Sequence, residues 1–164
     1  RKLLDAHAET ISRKGKVIAR VPLPEACAVG SFVAPLAVEI EGIEVLEREV
    51  FGPILHVLRY RSRDLKQLVE SVNATGYGLT FGVHSRIEGE AERLTARIGA
   101  GNCYVNRNMV GAVVGVQPFG GCGLSGTGPK AGGPHYLARF ATEKTVTVNT
   151  AAVGGNASLL AMED

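Results

Sequence analysis

The chain has 164 residues, which suits a single domain, and its 45% hydrophobic and 21% charged residues are typical of a globular protein. Eighteen basic and sixteen acidic residues leave a net charge of +2, which is too balanced to indicate a nucleic-acid or acidic-membrane partner. No run of 18 apolar residues and no signal peptide is present, and the chain opens without Met on a helix-like stretch. We therefore expect a piece of a longer protein with no membrane span.

The first third predicts one helix and two strands. Helical spacing of Leu3, Leu4, His7, Ala8 and Ile11 predicts a helix over residues 1–13, and residues 16–21 predict a strand. Residues 32–40 favour a strand too, but Pro35 indicates either an edge strand or a break.

The middle of the chain alternates strands with helices. The strands are predicted at 54–60, 79–84 and 101–106, with helices at 65–73 and 87–98 that begin after Asp64 and Ser85. This order predicts an α/β fold with a mostly parallel sheet and flanking helices. Because ligands bind beyond the carboxyl ends of parallel strands, the segment after residue 106 is placed at a site.

That segment, Asn106 to Pro134, is rich in glycine and proline and poor in bulky side chains. Glycine lets the backbone approach a ligand closely and proline fixes φ, so we expect a shaped, rigid loop. A short helix over 135–141 and a half-exposed strand over 144–149 follow it, before a tail without periodicity.

Two patterns inside the loop suggest chemistry that their context does not support. Residues 121–126 match GxGxxG, but no hydrophobic strand precedes them and no helix start follows, so a dinucleotide fingerprint is not indicated. Cys122 is a possible nucleophile, with Lys130 and His135 nearest in sequence as activating groups, although a small loop residue is the simpler interpretation. The three cysteines and four histidines show no metal-ligand or disulfide spacing.

A second segment carries a carboxylate, an aromatic ring and a rigid turn within five residues. In Glu49-Val-Phe-Gly-Pro53 the carboxylate could accept two ribose hydroxyls and the ring could pack beside a nicotinamide. A solvated glutamate and a core phenylalanine before a turn explain the pattern equally well.

Several segments together resemble the C-terminal part of the aldehyde dehydrogenase superfamily over about residues 1–149. Within it, residues 106–121 and 126–135 look like the pyrroline-5-carboxylate (glutamate-semialdehyde) dehydrogenases, and most like the module found in bacterial bifunctional proline utilisation flavoenzymes (PutA type). The segments that carry the resemblance are 49–53, 77–82, 102–106, 118–121 and 125–126.

The resemblance implies roles for individual residues. Glu49 matches the glutamate that holds the nicotinamide ribose of NAD, and Phe51 matches the aromatic residue beside it. Gly111 and Ala112 match the backbone that anchors the substrate carboxylate, and Phe119 matches an aromatic wall of the aldehyde pocket. The substrate implied is glutamate semialdehyde, in the catabolism of proline to glutamate.

The resemblance also implies a division of the chain. Residues 1–141 correspond to the C-terminal portion of the catalytic domain, 142–150 to a strand used for homo-oligomerisation and 151–164 to a linker or tail. We expect a cytoplasmic parent, with peripheral attachment to the bacterial inner membrane as an alternative, and FAD only in a proline dehydrogenase half.

The chain departs from the family pattern in what it lacks. The nucleophilic cysteine, the general-base glutamate and the dinucleotide-binding domain precede the matched region, and Cys27, Cys103 and Cys122 do not match the nucleophile's motif. The intact enzyme implied would use thiolate attack, hydride transfer to NAD⁺ and thioester hydrolysis. We expect this chain to be inactive alone, and a non-catalytic binding or dimerisation module is the alternative.

Overall fold

The computed structural model of the chain describes residues 1–149 and Ala152. Three α-helices and seven short strands are present among them. The helices are α1 (Lys2–Lys14), α2 (Leu65–Ala74) and α3 (Glu88–Arg97). The strands are β1 (Lys16–Arg20), β2 (Leu36–Ile40), β3 (Ile54–Leu58), β4 (Tyr77–Gly78), β5 (Thr80–Val83), β6 (Asn102–Val105) and β7 (Cys122–Gly123).

The N-terminal part of the fold is a three-stranded sheet covered on one face by α1. Strand β2 is central, antiparallel to β1 and parallel to β3. Its burial alternates, so Leu36, Val38 and Ile40 face one side and form a buried cluster with Ile11 of α1. Period-2 alternation against a helical stripe is the pattern that lets a sheet and a helix bury one shared core.

The second part of the fold contains a βαβ unit. Strands β5 and β6 pair in parallel, with Thr80 opposite Asn102 and Val83 opposite Val105, and α3 connects them. The alternation of β6 buries Asn102 and Tyr104 and leaves Cys103 and Val105 exposed. This unit was predicted from the sequence, and its strand β6 leads directly into the glycine-rich loop.

The prediction of a mostly parallel sheet is wrong in extent. The described residues form three small sheets, of which one is mixed, one is parallel and one, β4 with β7, is antiparallel. The α/β composition holds, but β3 pairs with β2 and β5 pairs with β6, and no described pairing joins β3 to β5. The order of elements along the chain predicts which connections are possible and leaves the choice of neighbour to tertiary packing.

The remaining differences lie near proline and at the C-terminal end. Pro35 stands immediately before β2, so it breaks the 32–40 stretch and does not lie within an edge strand. The helix expected over 135–141 is a single 3₁₀ turn, Leu137–Phe140. Residues 141–149 form no strand with any part of the chain that the structure describes, and the tail from 151 lies outside the described residues apart from Ala152.

Of the helices that the structure describes, none is long and apolar enough to cross a bilayer. The proposed division at residues 141 and 150 stays a prediction.

Candidate functional site

The glycine-rich loop begins at a sharp turn fixed by Asn106. This residue has φ of 54°, the one positive value among the described non-glycine residues, in a region that asparagine tolerates better than most. Its side-chain Nδ2 donates to the Ser85 carbonyl at 3.0 Å, and its Oδ1 accepts from the Ser85 backbone N–H at 3.0 Å. The turn is thus clamped to Ser85, two residues beyond the end of β5.

Gly111 and Ala112 present two free backbone donors. Hydrogen bonds occupy the N–H groups on both sides: Val110 donates to Asn108 Oδ1 and Val113 donates to the Gln117 carbonyl. Within the described residues the N–H groups of Gly111 and Ala112 have no such acceptor, and both residues are exposed. Free N–H groups of this kind can donate to an anion, because each supplies a fixed partial positive charge.

Gly111 is held in a conformation that suits glycine. Its φ is 102°, and its carbonyl accepts a 3.1 Å hydrogen bond from the buried hydroxyl of Tyr104. The guanidinium of Arg107 covers the Tyr104 ring at 5.1 Å from the centroid, a distance at which a cation is attracted to an aromatic face. The carboxylate anchor implied by the sequence is therefore attached to strand β6.

Phe119 is fixed by its backbone on two sides. Its N–H donates to the Ala131 carbonyl at 3.0 Å, and its own carbonyl accepts from Ala131 at 2.9 Å. The amide of Asn102 holds the residues before and after it: Nδ2 donates to the Pro118 carbonyl at 3.0 Å and Oδ1 accepts from Gly120 N–H at 3.2 Å. The half-buried ring of Phe119 therefore projects from a rigid stretch of chain.

The GxGxxG segment is a support for the loop. Its residues Cys122 and Gly123 pair with Tyr77 and Gly78, and Ser125 Oγ accepts from Gly78 N–H at 3.1 Å. No helix begins in the described chain between this segment and Leu137, so the helix N-terminus that a pyrophosphate needs is absent there. The geometry of residues 121–126 is therefore unlike that of a dinucleotide fingerprint.

Glu49 and Phe51 lie on the connection that precedes β3. Both are exposed, Phe51 to 79%, so the phenylalanine does not join the core. Glu49 has no hydrogen bond or ion pair with another described residue, and it lines an open cavity of about 560 Å³ together with Thr75 and Tyr77. A carboxylate with free acceptor oxygens and an exposed ring two residues away fit a sugar hydroxyl pair and a flat heterocycle.

The five predicted site residues lie on two different segments of the chain. Gly111, Ala112 and Phe119 share one loop that is fastened to β6. Glu49 and Phe51 lie on the connection that leads into the first sheet, where Leu36 N–H donates to the carbonyl of Pro53 at the end of their turn. Among the described residues, no hydrogen bond or ion pair joins the two groups.

The cysteines show no nucleophile geometry. Neither Lys130 nor His135 makes a hydrogen bond to Cys122 within the part of the chain that is described, and Lys130 Nζ donates to the Gly101 carbonyl. Burial raises the pKa of the Cys103 thiol, and the Lys130 ammonium offsets only part of that rise. No group of three or more His, Cys, Asp or Glu side chains in the described residues could hold a metal ion.

Two of the scattered histidines form a contact that the sequence did not indicate. His7 of α1 and His56 of β3 approach to 3.2 Å between their Nε2 atoms, with the rings edge to face. Burial lowers the pKa of His56 below its usual value of 6.5, and His7 lowers it further. The pair joins α1 to β3 and lies outside the loop site.

Sequence reasoning missed the two residues that position the loop, Asn102 and Tyr104. Their i, i+2 spacing places both on one face of β6, and they are 9% and 5% exposed. The available signal was a polar side chain at an inward position of a predicted strand, because a buried amide requires partners.

Comparison with known proteins identifies relatives of most of the chain. A family model described as "Aldehyde dehydrogenase family" matches residues 1–146. The chain is 55% identical over 143 residues to the "Bifunctional protein PutA" of Rhizobium meliloti, covering 87% of this chain and 12% of that protein.

Solved structures agree. A mutant of Bradyrhizobium japonicum Proline Utilization A (PutA) matches with a TM-score of 0.84 and 58% identity, over 92% of this chain and 15% of that one. A Thermus 1-pyrroline-5-carboxylate dehydrogenase with bound NAD matches with a TM-score of 0.73 and 37% identity, over 82% of this chain and 26% of that one. The chain therefore spans well under a third of each of these relatives.

Proposed function

The chain belongs to the aldehyde dehydrogenase family, and on that premise we propose that it is part of an NAD-dependent glutamate-semialdehyde (pyrroline-5-carboxylate) dehydrogenase. In this proposal it contributes the substrate-carboxylate anchor and contacts to the nicotinamide ribose. The parent is a bifunctional proline utilisation enzyme of the PutA type, and FAD belongs to its proline dehydrogenase half. The 55% identity to a PutA protein supports this assignment over a general aldehyde dehydrogenase.

One observation carries the substrate assignment: the pair of free N–H groups at Gly111 and Ala112. Glutamate semialdehyde carries a carboxylate at the end opposite its aldehyde, and an aldehyde without that group has nothing to offer these donors. Hydrogen bonds to a charged acceptor are stronger than those between neutral groups, so the pair favours an anionic substrate. Phe119, which follows in the same loop, supplies an apolar surface for the carbon chain.

The residues for the cofactor are Glu49 and Phe51. The free carboxylate of Glu49 can accept hydrogen bonds from both hydroxyls of a ribose, and the exposed ring of Phe51 can pack beside the nicotinamide. When bound, NAD⁺ accepts the hydride that the aldehyde carbon loses on oxidation. Residues of this chain take part in no proton transfer and in no covalent step of this reaction.

The test is an assay of NADH formation with glutamate semialdehyde. The full-length protein should reduce NAD⁺, whereas the isolated 164-residue chain should not, because its cysteines lack an activating base. Turnover by the isolated chain would show that the catalytic residues lie within it. A full-length protein that ignores glutamate semialdehyde but oxidises other aldehydes would refute the substrate assignment.

A second candidate function is an assembly module without catalysis of its own. Within the predicted segment 144–149, residues 144–148 belong to no strand that the structure describes, and Val146 and Val148 are 70% and 67% exposed. A segment with alternating exposed apolar side chains can add to a sheet edge of a second copy. Light scattering decides, because a monomer at high concentration would contradict this function.

A further inference from the structure

Two buried side chains of β6 connect the proposed carboxylate anchor to the aromatic wall. Asn102 holds the chain on both sides of Phe119, and Tyr104 holds Gly111. The two side chains also meet each other, with Asn102 Nδ2 at 3.4 Å from the Tyr104 hydroxyl. Together they form one continuous hydrogen-bond chain between the two halves of the loop.

The chemistry of the end groups fixes the direction of this chain. The Gly120 N–H can only donate and the Pro118 carbonyl can only accept, so Asn102 must turn Oδ1 to the first and Nδ2 to the second. Nδ2 is therefore a donor to the Tyr104 hydroxyl, which leaves that hydroxyl's own proton for the Gly111 carbonyl. Every polar group of the two side chains has a partner, which favours a single rigid arrangement.

The bond to Gly111 determines where the next N–H points. A trans peptide is planar, and its C=O and N–H point in opposite directions. The described chain contains no cis peptide, so the grip of Tyr104 on the Gly111 carbonyl turns the Ala112 N–H away from β6. That side is the exposed side of the loop, where an anion can reach the donor.

We propose that Tyr104 is a positioning residue that orients the Gly111–Ala112 peptide toward the substrate carboxylate and so selects carboxylate-bearing aldehydes. This inference rests on the proposed function and adds to it the residue that sets its specificity. Tyr104 acts through its hydroxyl alone, because the ring packs and holds Arg107 with or without it. It does not contact the substrate.

The test is Tyr104→Phe in the full-length enzyme, assayed with NAD⁺ and two aldehydes. Glutamate semialdehyde carries a carboxylate, and pentanal has a similar length without one. Loss of one neutral hydrogen bond should raise KM for glutamate semialdehyde roughly 5- to 10-fold. The value of kcat should not change, because the Gly111–Ala112 peptide binds the carboxylate equally well in the ground state and in the transition state. Kinetic constants for pentanal should not change.

Tyr60→Phe is the matched control, because Tyr60 is exposed and its hydroxyl has no hydrogen bond to another described residue. It should match the wild type with both aldehydes. If Tyr104→Phe lowers kcat/KM equally for both aldehydes, Tyr104 contributes only to general stability. If it lowers kcat/KM for neither, the Gly111–Ala112 peptide keeps its orientation without the Tyr104 hydroxyl. Each result overturns the inference. A wild-type enzyme with no preference for glutamate semialdehyde over pentanal would refute the proposed function first.

Discussion

The side chain of Asn102 fixes the backbone on both sides of Phe119, with 3.0 Å from Nδ2 to the Pro118 carbonyl and 3.2 Å from Gly120 N–H to Oδ1. The aromatic ring is thereby positioned by a residue seventeen positions earlier that does not touch the site's exposed face. The close approach requires Gly101, because a Cβ there would overlap the Gly120 carbonyl oxygen.

Asn102→Ala should destabilise the loop by about 2 kcal/mol, because it leaves a part-buried N–H and C=O without their partner. Hydrogen exchange of the Gly120 amide in the full-length protein measures the effect, and its protection should fall. Asn108→Ala is the matched control, since its hydrogen bond to Val110 is exposed and water can replace it. Unchanged Gly120 exchange in Asn102→Ala would contradict the clamp.

Gly111→Ala should weaken carboxylate recognition through the backbone. No atom lies within 4 Å of an added Cβ, so the cost comes from φ of 102° and not from a clash. A side chain in such a conformation costs about 1–2 kcal/mol, which predicts roughly a 5- to 30-fold rise in KM for glutamate semialdehyde.

Gly89→Ala is the control for this substitution. Gly89 lies in α3, where the backbone conformation suits alanine, and an added Cβ would meet no atom within 4 Å. It should leave KM unchanged and slightly raise stability. If Gly111→Ala keeps the wild-type KM, the loop does not use its left-handed turn for binding.

Glu49→Gln should raise KM for NAD⁺ with little change in KM for the aldehyde. Hydrogen bonds to a charged group contribute about 1.5–3 kcal/mol, which corresponds to roughly a 10- to 100-fold effect. Glu47→Gln is a neighbouring control, since its exposed 3.2 Å pair with Lys14 contributes little. Identical NAD⁺ kinetics in Glu49→Gln and Glu47→Gln would remove Glu49 from the cofactor site.

The contact between α1 and β3 should weaken on acidification. The pKa of His56 in the folded protein lies below its ordinary value of 6.5. At a pH between the folded-state pKa and 6.5, the unfolded chain therefore binds more protons than the folded chain, and stability falls as pH falls. Hydrogen exchange of the β3 amides should therefore speed up, beyond its intrinsic pH dependence, as pH drops below about 6.5.

His56→Gln should remove this pH dependence. His84→Gln is the control, because His84 is exposed, and this variant should keep the pH dependence of the wild type. Equal pH profiles for the wild type and His56→Gln would show that the histidine pair has no influence on the contact.

Thr147→Pro should reduce self-association if residues 144–149 pair with a second copy. Proline removes a backbone donor and cannot take part in the interior of a sheet ladder. Light scattering of the full-length protein should show a smaller species, while Thr95→Val, at a half-buried position of α3, should not alter it. An unchanged mass in Thr147→Pro would exclude this segment from the interface.

The sequence by itself determined the local elements and the identity of the loop. Helical periodicity located α1 and α2, and a predicted cap at Ser85 with glycines after residue 98 located α3, because these signals are properties of consecutive residues. The order of β5, α3 and β6 predicted their parallel pairing. The resemblance to aldehyde dehydrogenases also came from short sequence segments that can be recognised without a structure. The family match over residues 1–146 confirms it.

The tertiary structure decided which strands are neighbours and what holds the loop. Tyr77 pairs with Gly123, and the sequence of neither two-residue strand predicts this pairing. Alternation in β6 showed that Asn102 and Tyr104 share a face, but the partners on that face come from residues 111–120. Pairing over such separations depends on how the loop folds back, which is a balance of hydrogen bonds and loop entropy over the whole chain.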